Sequence, residues 1–333
     1  MANRKFTVAI TDAEYASHEP EHEALSKLNV NLVKFQCKTE DDVIKNCRNA
    51  DALLNQYAPM TRRVIENLKK AKIIARYGIG VDNVDLKAAT EKGIFVTNVI
   101  YDICDVADHT VALMLSLIRK IPWAYQSVNA GKWDWKILQP INRINRETVG
   151  IIGFGRVGRE VAARIAAFGV NIISYDPYLP LEIFEKSSVK KVDLETIFEQ
   201  SDIITIHVTL TNETRHMIGL DQLRKMKKTA VLINASRGAV IDEKALYTSL
   251  KEKWIAGAAF DVSEKEPPAA DNPILKLDNV IVTPHMAWYS LASLTEIQRK
   301  SAEEIARVLS GQLPVNLVNK EVLESKRYSS GIN

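Results

Sequence analysis

The chain has 333 residues, enough for two domains of ordinary size with separate hydrophobic cores. Its 46% hydrophobic and 26% charged residues exclude a largely disordered protein, and a net charge of +3 is too small to indicate a nucleic-acid partner. No apolar run is long enough to cross a membrane, and the first residues lack the apolar core of a signal peptide. Three cysteines without C-x-x-C spacing indicate neither a disulfide framework nor a metal site. The composition therefore predicts a cytoplasmic protein that acts without a metal or a membrane.

The first hundred residues alternate short apolar runs with amphipathic, charged segments. The predicted strands are 6–10, 31–35, 52–54, 73–75 and 94–97, and the predicted helices are about 21–29, 40–49, 61–70 and 85–92. Strands that alternate with helices through short connections predict a parallel sheet with helices on both faces. This part of the chain is therefore predicted to be a doubly wound α/β domain.

Two loops of this domain follow predicted strands, where ligands bind in open α/β sheets. Asn55 and Tyr57 follow the third strand, and Ile79 and Gly80 follow the fourth. Bare N–H groups beside the glycines of the second loop can hold a carboxylate. A glycine turn without any ligand explains the same residues equally well.

An apolar segment with helical spacing, 106–119, is predicted to cross into a second domain and carries His109 near its start. A further segment, about 122–130, leads to Trp133 and Trp135 in an irregular loop. Two tryptophans in such a loop are typical of packing or of a subunit contact. We therefore predict a homodimer.

The second domain opens with a glycine-rich loop. The apolar run 148–152 predicts a buried strand, and Gly153, Gly155 and Gly158 follow it with G-x-G-x-x-G spacing before a helix. Asp176 ends the next predicted strand, 18 residues after Gly158. Glycines at this spacing let backbone N–H groups approach a pyrophosphate, and the carboxylate can accept hydrogen bonds from an adenosine ribose. We predict NAD as the cofactor, because Asp176 would repel the 2′-phosphate of NADP; a purely structural turn is the alternative.

The rest of the chain continues the second domain and then returns to the first. Further predicted strands are 203–208, 230–234, 257–260 and 279–282, and predicted helices are about 193–200, 220–227, 242–252 and 291–309. The predicted substrate domain is 1–101 and 292–333, and the predicted NAD-binding domain, 102–291, is inserted into it. The last stretch, 324–333, is polar and is predicted to be frayed.

Three residues follow predicted strands of the second domain and are candidates for catalysis. The planar guanidinium of Arg237 can bind a carboxylate in bidentate fashion and polarise a carbonyl group. Glu266 and His285 form a candidate acid/base pair, because a carboxylate bonded to one imidazole nitrogen fixes the tautomer and favours the charged ring. Taken singly, Arg237 is more typical of a surface or phosphate contact and His285 of a structural residue, so the prediction rests on the three together.

Several motifs, GFGRVG, YDP, INASRGAVIDEKAL, AAFDVSEKEPP and VTPHMAWYS, occur in an order and spacing that resemble the D-isomer-specific 2-hydroxyacid dehydrogenase family. The resemblance implies a Rossmann NAD domain inserted into a flavodoxin-like substrate domain, with Arg237 as substrate anchor and Glu266 with His285 as acid/base pair. It also implies cofactor contacts at Arg156, Val157, Asp176, Val208, Ala235, Ser236, Asp261 and Trp288. The backbone at Ile79 and Gly80 is implied to meet the substrate carboxylate, with Tyr57 in the neighbouring loop.

Two branches of the family resemble different parts of the chain. The stretch RYGIGVDNVDLKAAT is similar to phosphoglycerate dehydrogenases, but Asn55 and Tyr57 stand where those enzymes place basic residues, and the chain ends without a regulatory domain. The stretch HMAWYS is similar to the C-terminal-binding-protein branch of corepressors. Trp288 can form an apolar wall of the substrate pocket or belong to the core. The predicted function is NAD-dependent interconversion of a 2-oxo acid and a D-2-hydroxy acid, with an NAD(H)-sensing binding protein or a 3-phosphoglycerate dehydrogenase as alternatives.

Overall fold

The computed structural model describes residues 5–324, which form two compact units. The described part of unit 1 comprises residues 5–102 and 290–324, and unit 2 comprises residues 103–289. The predicted fraying from residue 325 onward lies outside the described residues. The assignment of substrate binding to one segment and of NAD binding to the other stays a prediction.

Strands and helices alternate through both units. The strands are β1 (Phe6–Ile10), β2 (Val30–Lys34), β3 (Ala52–Asn55), β4 (Ile73–Arg76), β5 (Phe95–Thr97), β6 (Thr148–Ile152), β7 (Asn171–Tyr175), β8 (Lys190–Lys191), β9 (Ile203–Ile206), β10 (Val231–Asn234), β11 (Gly257–Phe260) and β12 (Val280–Val282). The helices are α1 (Glu19–Leu25), α2 (Glu40–Cys47), α3 (Arg62–Asn67), α4 (Leu86–Glu91), α5 (Cys104–Ile118), α6 (Ile121–Asn129), α7 (Arg156–Ala166), α8 (Leu181–Lys186), α9 (Leu194–Gln200), α10 (Leu220–Lys225), α11 (Glu243–Lys251) and α12 (Leu291–Leu309).

Unit 1 contains a five-stranded parallel sheet in the order β2-β1-β3-β4-β5. Its inner strands are wholly buried apolar runs, such as Ala52–Leu54 in β3, because helices cover both faces of the sheet. The long helix α12 packs against α1, β3 and β4, so the last part of the chain completes the core of this unit. Asp85 caps α4 by accepting a hydrogen bond from the N–H of Ala88.

Unit 2 contains a seven-stranded parallel sheet in the order β12-β11-β10-β9-β6-β7-β8. The first strand of this unit, β6, lies inside the sheet, with β7 and β8 on one side and β9 to β12 on the other. The strand order therefore reverses at β6, and ligands bind at such a reversal in this class of sheet. Strands β10, β11 and β12 are neighbours, so the loops at their carboxyl ends emerge side by side. The predicted class, two doubly wound parallel-sheet domains, is confirmed.

Some element boundaries differ from the predicted ones. β9 ends at Ile206, two residues before the predicted end, because its neighbours β6 and β10 both stop pairing there. The predicted helix at about 21–29 is Glu19–Leu25, which starts early because Pro20 suits the first helical turn and ends where Ser26 turns the chain towards β2. The predicted helix at about 61–70 ends at Asn67, because Leu68 is extended. The sequence did not predict α8 and β8.

Candidate active site

The three glycines of the loop after β6 are needed for different reasons. Gly153 has a φ of +89°, and a Cβ there would lie 2.7 Å from the carbonyl oxygen of His207. A Cβ on Gly158 would lie 2.2 Å from the carbonyl oxygen of Gly153, so the glycine lets α7 pack against the loop. A Cβ on Gly155 would meet no protein atom within 4 Å, and residues other than glycine also adopt the φ of −64° that Gly155 has. No neighbouring protein atom requires a glycine at position 155. A glycine is required there if a ligand occupies the space beside its Cα.

The amino-terminal end of α7 faces this space. Gly155 is the N-cap residue and offers no side-chain acceptor, and Arg156 and Val157 form the first helical turn. The positive end of the helix dipole and the first-turn N–H groups make such a terminus a binding site for an anion. These residues therefore fit the pyrophosphate of a dinucleotide.

Asp176 is fixed at the end of β7 beside the glycine loop. One carboxylate oxygen accepts a hydrogen bond from the N–H of Phe154 at 2.9 Å, and the other accepts one from the N–H of Tyr178 at 3.0 Å. A carboxylate offers about four lone-pair positions, so this group has the capacity to accept ribose hydroxyls as well. Val208 also lies beside this loop, since its Cγ1 would be 2.9 Å from a Cβ on Gly153.

Arg237 follows β10 in a loop that is folded around the side chain of Asn234. The amide nitrogen of Asn234 donates to the carbonyl oxygen of Arg237 at 2.9 Å, and its amide oxygen accepts from the N–H and the hydroxyl of Ser236. The Arg237 guanidinium donates through Nη1 to the carbonyl oxygen of Ser236 at 2.8 Å. Arg237 is partly exposed, as are Ala235 and Ser236, so this loop can contact a ligand.

Glu266 and His285 form the predicted pair. The distance between Nδ1 of His285 and Oε2 of Glu266 is 2.5 Å, and Oε1 of Glu266 accepts a hydrogen bond from the N–H of Ser263 at 2.9 Å. Both side chains are partly exposed, at 25% for His285 and 32% for Glu266. With Nδ1 bonded to the carboxylate, Nε2 is the ring nitrogen suited to exchange a proton with a ligand.

The buried carboxylate of Asp261 holds the loop that carries His285. It accepts hydrogen bonds from the Thr283 hydroxyl at 2.5 Å and from the N–H groups of Met286 and Ala287 at 3.0 and 2.7 Å. Nε2 of His109, on α5, lies 3.0 Å from the Thr283 hydroxyl and 3.5 Å from Oδ1 of Asp261. Burial alone would raise the pKa of Asp261, but these hydrogen bonds outweigh it and hold the pKa below its ordinary value.

The backbone of His285 is constrained by the same loop. Its φ of +52° is unusual for a residue with a side chain, and its N–H donates to the carbonyl oxygens of Asp261 and Thr283. Trp288 lies three residues further on, with its ring edge-to-face against Tyr289 at 5.7 Å between centroids. The sequence pointed to His109 only as a residue near a helix start and did not reveal the roles of Asn234, Ser263 and Thr283. The sequence signal that could have identified Asn234 is a polar residue at the end of an apolar strand.

The predicted substrate contacts Tyr57, Ile79 and Gly80 lie in unit 1. Tyr57 is 46% exposed, and the guanidinium of Arg76 lies over its ring at 5.9 Å. Ile79 is 40% exposed, and its carbonyl oxygen accepts a hydrogen bond from the Asn98 amide at 2.8 Å. Both loops therefore present groups to solvent at the carboxyl ends of β3 and β4.

Across residues 5–324, no helix is both long and apolar enough to span a membrane. Over the same range, the structure shows no cluster of His, Cys, Asp and Glu residues suited to hold a metal ion.

Comparison with known proteins identifies the class. Residues 111–287 match the family domain described as "D-isomer specific 2-hydroxyacid dehydrogenase, NAD binding domain". This range includes the glycine loop, Asp176, Arg237, Glu266 and His285. The chain belongs to the D-isomer specific 2-hydroxyacid dehydrogenase family, and the match confirms the predicted resemblance and an NAD(P) cofactor.

Similar proteins carry several substrate names. The chain is 46% identical over 288 residues to a D-3-phosphoglycerate dehydrogenase of Methanocaldococcus jannaschii, covering 84% of this chain but only 54% of that relative. It is 42% identical to a glyoxylate reductase of Korarchaeum cryptofilum, covering 85% of this chain and 86% of the relative. It is similar in structure to D-lactate dehydrogenase from Aquifex aeolicus, solved with NAD and lactic acid, with a TM-score of 0.84, 29% identity and coverage of 91% and 96%. The chain thus spans little more than half the length of the phosphoglycerate dehydrogenase it matches.

Proposed function

We propose that the protein is an NAD-dependent oxidoreductase that interconverts a 2-oxo acid and a D-2-hydroxy acid. The observation that carries this proposal is the 2.5 Å contact between Nδ1 of His285 and Oε2 of Glu266. Glu266 follows β11 and His285 follows β12, and Arg237 follows β10, which lies next to β11 in the sheet. An imidazole held by a carboxylate is a positioned proton donor, which contributes a factor of about 10²–10⁴ to the rate of such reactions. The glycine loop in the same unit fits the cofactor that this chemistry needs.

The three residues have different roles in the proposed reduction. The Arg237 guanidinium binds the substrate carboxylate and polarises the 2-carbonyl group. His285 in its protonated form gives the proton on Nε2 to the carbonyl oxygen, and Glu266 keeps the ring in the productive tautomer. Bound NADH supplies the hydride that adds to the carbonyl carbon. In the oxidation direction, neutral His285 accepts the hydroxyl proton.

We propose NAD rather than NADP as the cofactor. Asp176 is held beside the glycine loop by two backbone N–H groups, and no Arg or Lys occurs among the six residues after it. A fixed carboxylate favours a ribose diol and repels a 2′-phosphate. The remaining proposed cofactor contacts are Gly153, Gly155, Arg156, Val157, Gly158, Val208, Ala235, Ser236, Asp261 and Trp288, and the proposed substrate contacts in unit 1 are Tyr57, Ile79 and Gly80.

The substrate class is tested by following NADH absorbance with a panel of 2-oxo acids. Glyoxylate, hydroxypyruvate, pyruvate, an apolar branched 2-oxo acid and 3-phosphohydroxypyruvate cover the side chains suggested by the relatives and by Trp288. We expect turnover with at least one unphosphorylated acid, because the segment 55–59 has no basic residue of its own. The neighbouring Arg76 guanidinium, 5.9 Å from the Tyr57 ring, donates to the carbonyl oxygen of Tyr77. Turnover confined to the phosphorylated acid would favour a phosphoglycerate dehydrogenase. No turnover with any acid, together with an NADH-dependent change in oligomer size, would favour an NAD(H)-sensing protein.

We also propose that the protein is a homodimer. Large apolar side chains are exposed throughout the segment 121–141, including Trp133 at 91% and Trp135 at 69% exposure. Helix α6, which begins this segment, has no buried residue. Monomeric proteins rarely leave such a surface open to water, and aromatic residues are enriched at subunit interfaces. A second copy of the chain is the proposed occupant.

The cytoplasm is the compartment that we propose. The cysteines Cys37, Cys47 and Cys104 are not joined by disulfide bonds, and the first two are buried. Free thiols are typical of a reducing compartment. Cell fractionation with an antibody to the chain would test this, and recovery in a secreted or membrane fraction would contradict it.

A further inference from the structure

We infer that Asn234 and Gly238 are positioning residues that fix Arg237 against the Glu266–His285 pair. This inference rests on the proposed function and deepens it, because neither residue is assigned a contact with substrate or cofactor. One continuous set of contacts leads from the Arg237 loop to the imidazole of His285.

The first contact fixes the Arg237 loop to the end of β10. Asn234 is only 2% exposed, and its side chain bonds on one side to the carbonyl oxygen of Arg237 and on the other to Ser236. An amide that uses both its donor and its acceptor within a four-residue loop defines the path of that loop. The carbonyl oxygen of Asn234 also accepts from the N–H of Asp261, which connects the end of β10 to the segment after β11.

The second contact brings the Arg237 loop against the segment that leads to Glu266. A Cβ on Gly238 would lie 2.0 Å from the carbonyl carbon of Ser263 and 2.4 Å from the backbone nitrogen of Glu264. The three nearest atoms are all backbone atoms, which cannot rotate aside as a side chain can. Gly238 is not among the glycines with positive φ, so close approach of the two backbones is the reason for a glycine here.

The third contact carries the same segment to the acid/base pair. The N–H of Ser263 donates to Oε1 of Glu266, and Oε2 of Glu266 bonds to Nδ1 of His285. Ser263, whose carbonyl group would meet a Cβ on Gly238, is therefore the same residue that donates its N–H to the carboxylate that orients the imidazole. A shift of Ser263 away from Gly238 would therefore change the positions of Glu266 and His285 relative to Arg237.

Gly238→Ala is the direct test, with Gly219→Ala as the matched control. Position 219, the N-cap of α10, has ordinary φ, and the nearest atom to a Cβ there lies 3.6 Å away. We expect Gly238→Ala to lower kcat/KM for the best 2-oxo acid by ~100-fold, since a misplacement of about 1 Å in a reacting group has that effect. The dissociation constant for NADH, measured by fluorescence, should change by less than about threefold in both variants. Wild-type kcat/KM in a folded Gly238→Ala variant would overturn the inference.

A double-mutant cycle separates positioning from a loss of stability. If Gly238 acts by placing Arg237, the substitution should lower kcat/KM by less than about threefold in an Arg237→Ala background. The same ~100-fold loss in both backgrounds would overturn the inference, because the effect would then not pass through Arg237. Absence of turnover in the wild-type chain would instead reject the proposed function, and this inference with it.

Asn234→Asp provides a second variant if Gly238→Ala does not fold. It keeps the size of the side chain and the acceptor for Ser236 but removes the donor to the carbonyl oxygen of Arg237. We expect a loss of kcat/KM of ~10-fold or more in the wild-type background and a smaller loss in the Arg237→Ala background. Equal losses in the two backgrounds would contradict a positioning role for this residue as well.

Discussion

His207 follows β9 and is only partly exposed, and its ring lies 2.9 Å from the Thr205 hydroxyl. Burial lowers the pKa of His207 from 6.5 to about 3, because the charged imidazolium would lose its hydration. The residue stays neutral in the folded protein over a pH range in which the unfolded chain is protonated. His207 is therefore a source of acid sensitivity in unit 2 rather than a proton donor.

This predicts how stability changes with pH. Between pH 6.5 and about 3, the unfolded chain binds a proton that folded His207 does not, so the free energy of unfolding falls as the pH is lowered. The contribution of one such group is at most ~1.4 kcal/mol per pH unit. Urea unfolding at several pH values from 7 to 4.5 should show a shallower pH dependence for His207→Gln than for wild type. An unchanged slope for His207→Gln, with the exposed His22→Gln as control, would contradict this account.

Asp261 shows what residue-level reasoning from a sequence misses. Its position after a strand was visible, but its hydrogen bonds come from Thr283, Met286 and Ala287, which follow a different strand, and its neighbour His109 lies on α5. Such convergence depends on the order of strands in the sheet, which local sequence patterns do not encode. Arg237, Glu266 and His285 could be proposed from the sequence because their residue types carry chemistry, whereas Asn234 and Gly238 are proposed to act only through their neighbours.

The glycine loop and α7 form the element on which the proposed cofactor binding depends. Gly155→Ala places a Cβ where the protein has no atom within 4 Å, so we expect little change in melting temperature. The same Cβ should raise the dissociation constant for NADH by ~10-fold or more, a loss of about 1.4 kcal/mol, because it occupies the proposed pyrophosphate position.

Gly158→Ala instead brings a Cβ to 2.2 Å from the Gly153 carbonyl oxygen. It should lower the melting temperature by roughly 2–12 °C, since overpacking costs about 1–3 kcal/mol. Thermal unfolding and NADH fluorescence should be measured on both variants. Wild-type affinity for NADH in Gly155→Ala would contradict the proposed pyrophosphate position.

At the element scale, the sheets were predictable and some edges were not. Parallel strands buried on both faces, such as Ile203–Ile206, appear in a sequence as unbroken apolar runs. The edge strand β8 is two lysines, Lys190–Lys191, whose pairing with β7 leaves no apolar pattern. The short helix α8 is held by Phe184, which stacks on Phe154 at 4.8 Å between ring centroids, a contact formed only in the folded unit.

At the scale of the whole molecule, the proposed homodimer depends on the exposed segment 121–141. The double substitution Trp133→Ser and Trp135→Ser removes two large apolar groups that are exposed in the single chain, so the fold should be retained. We expect the mass measured by light scattering to fall to that of one chain at micromolar concentration. Leu291→Ser, which removes a 77% exposed apolar side chain outside this segment, is the control and should leave the mass unchanged. A dimer that persists in the tryptophan variant would contradict this interface.

The most direct test of the proposed function is whether hydride passes from the cofactor to the substrate carbon under the control of His285. NADH carrying deuterium at both C4 positions is incubated with the best 2-oxo acid from the panel, and the product is analysed by mass spectrometry and chiral chromatography. With the best panel acid other than glyoxylate, whose product has no D and L forms, we expect one deuterium at C2 of a D-2-hydroxy acid from the wild-type protein. We expect a rate at least ~100-fold lower from His285→Ala, which should still bind NADH. An L-product, a product without deuterium at C2, or an unchanged rate in His285→Ala would contradict the account.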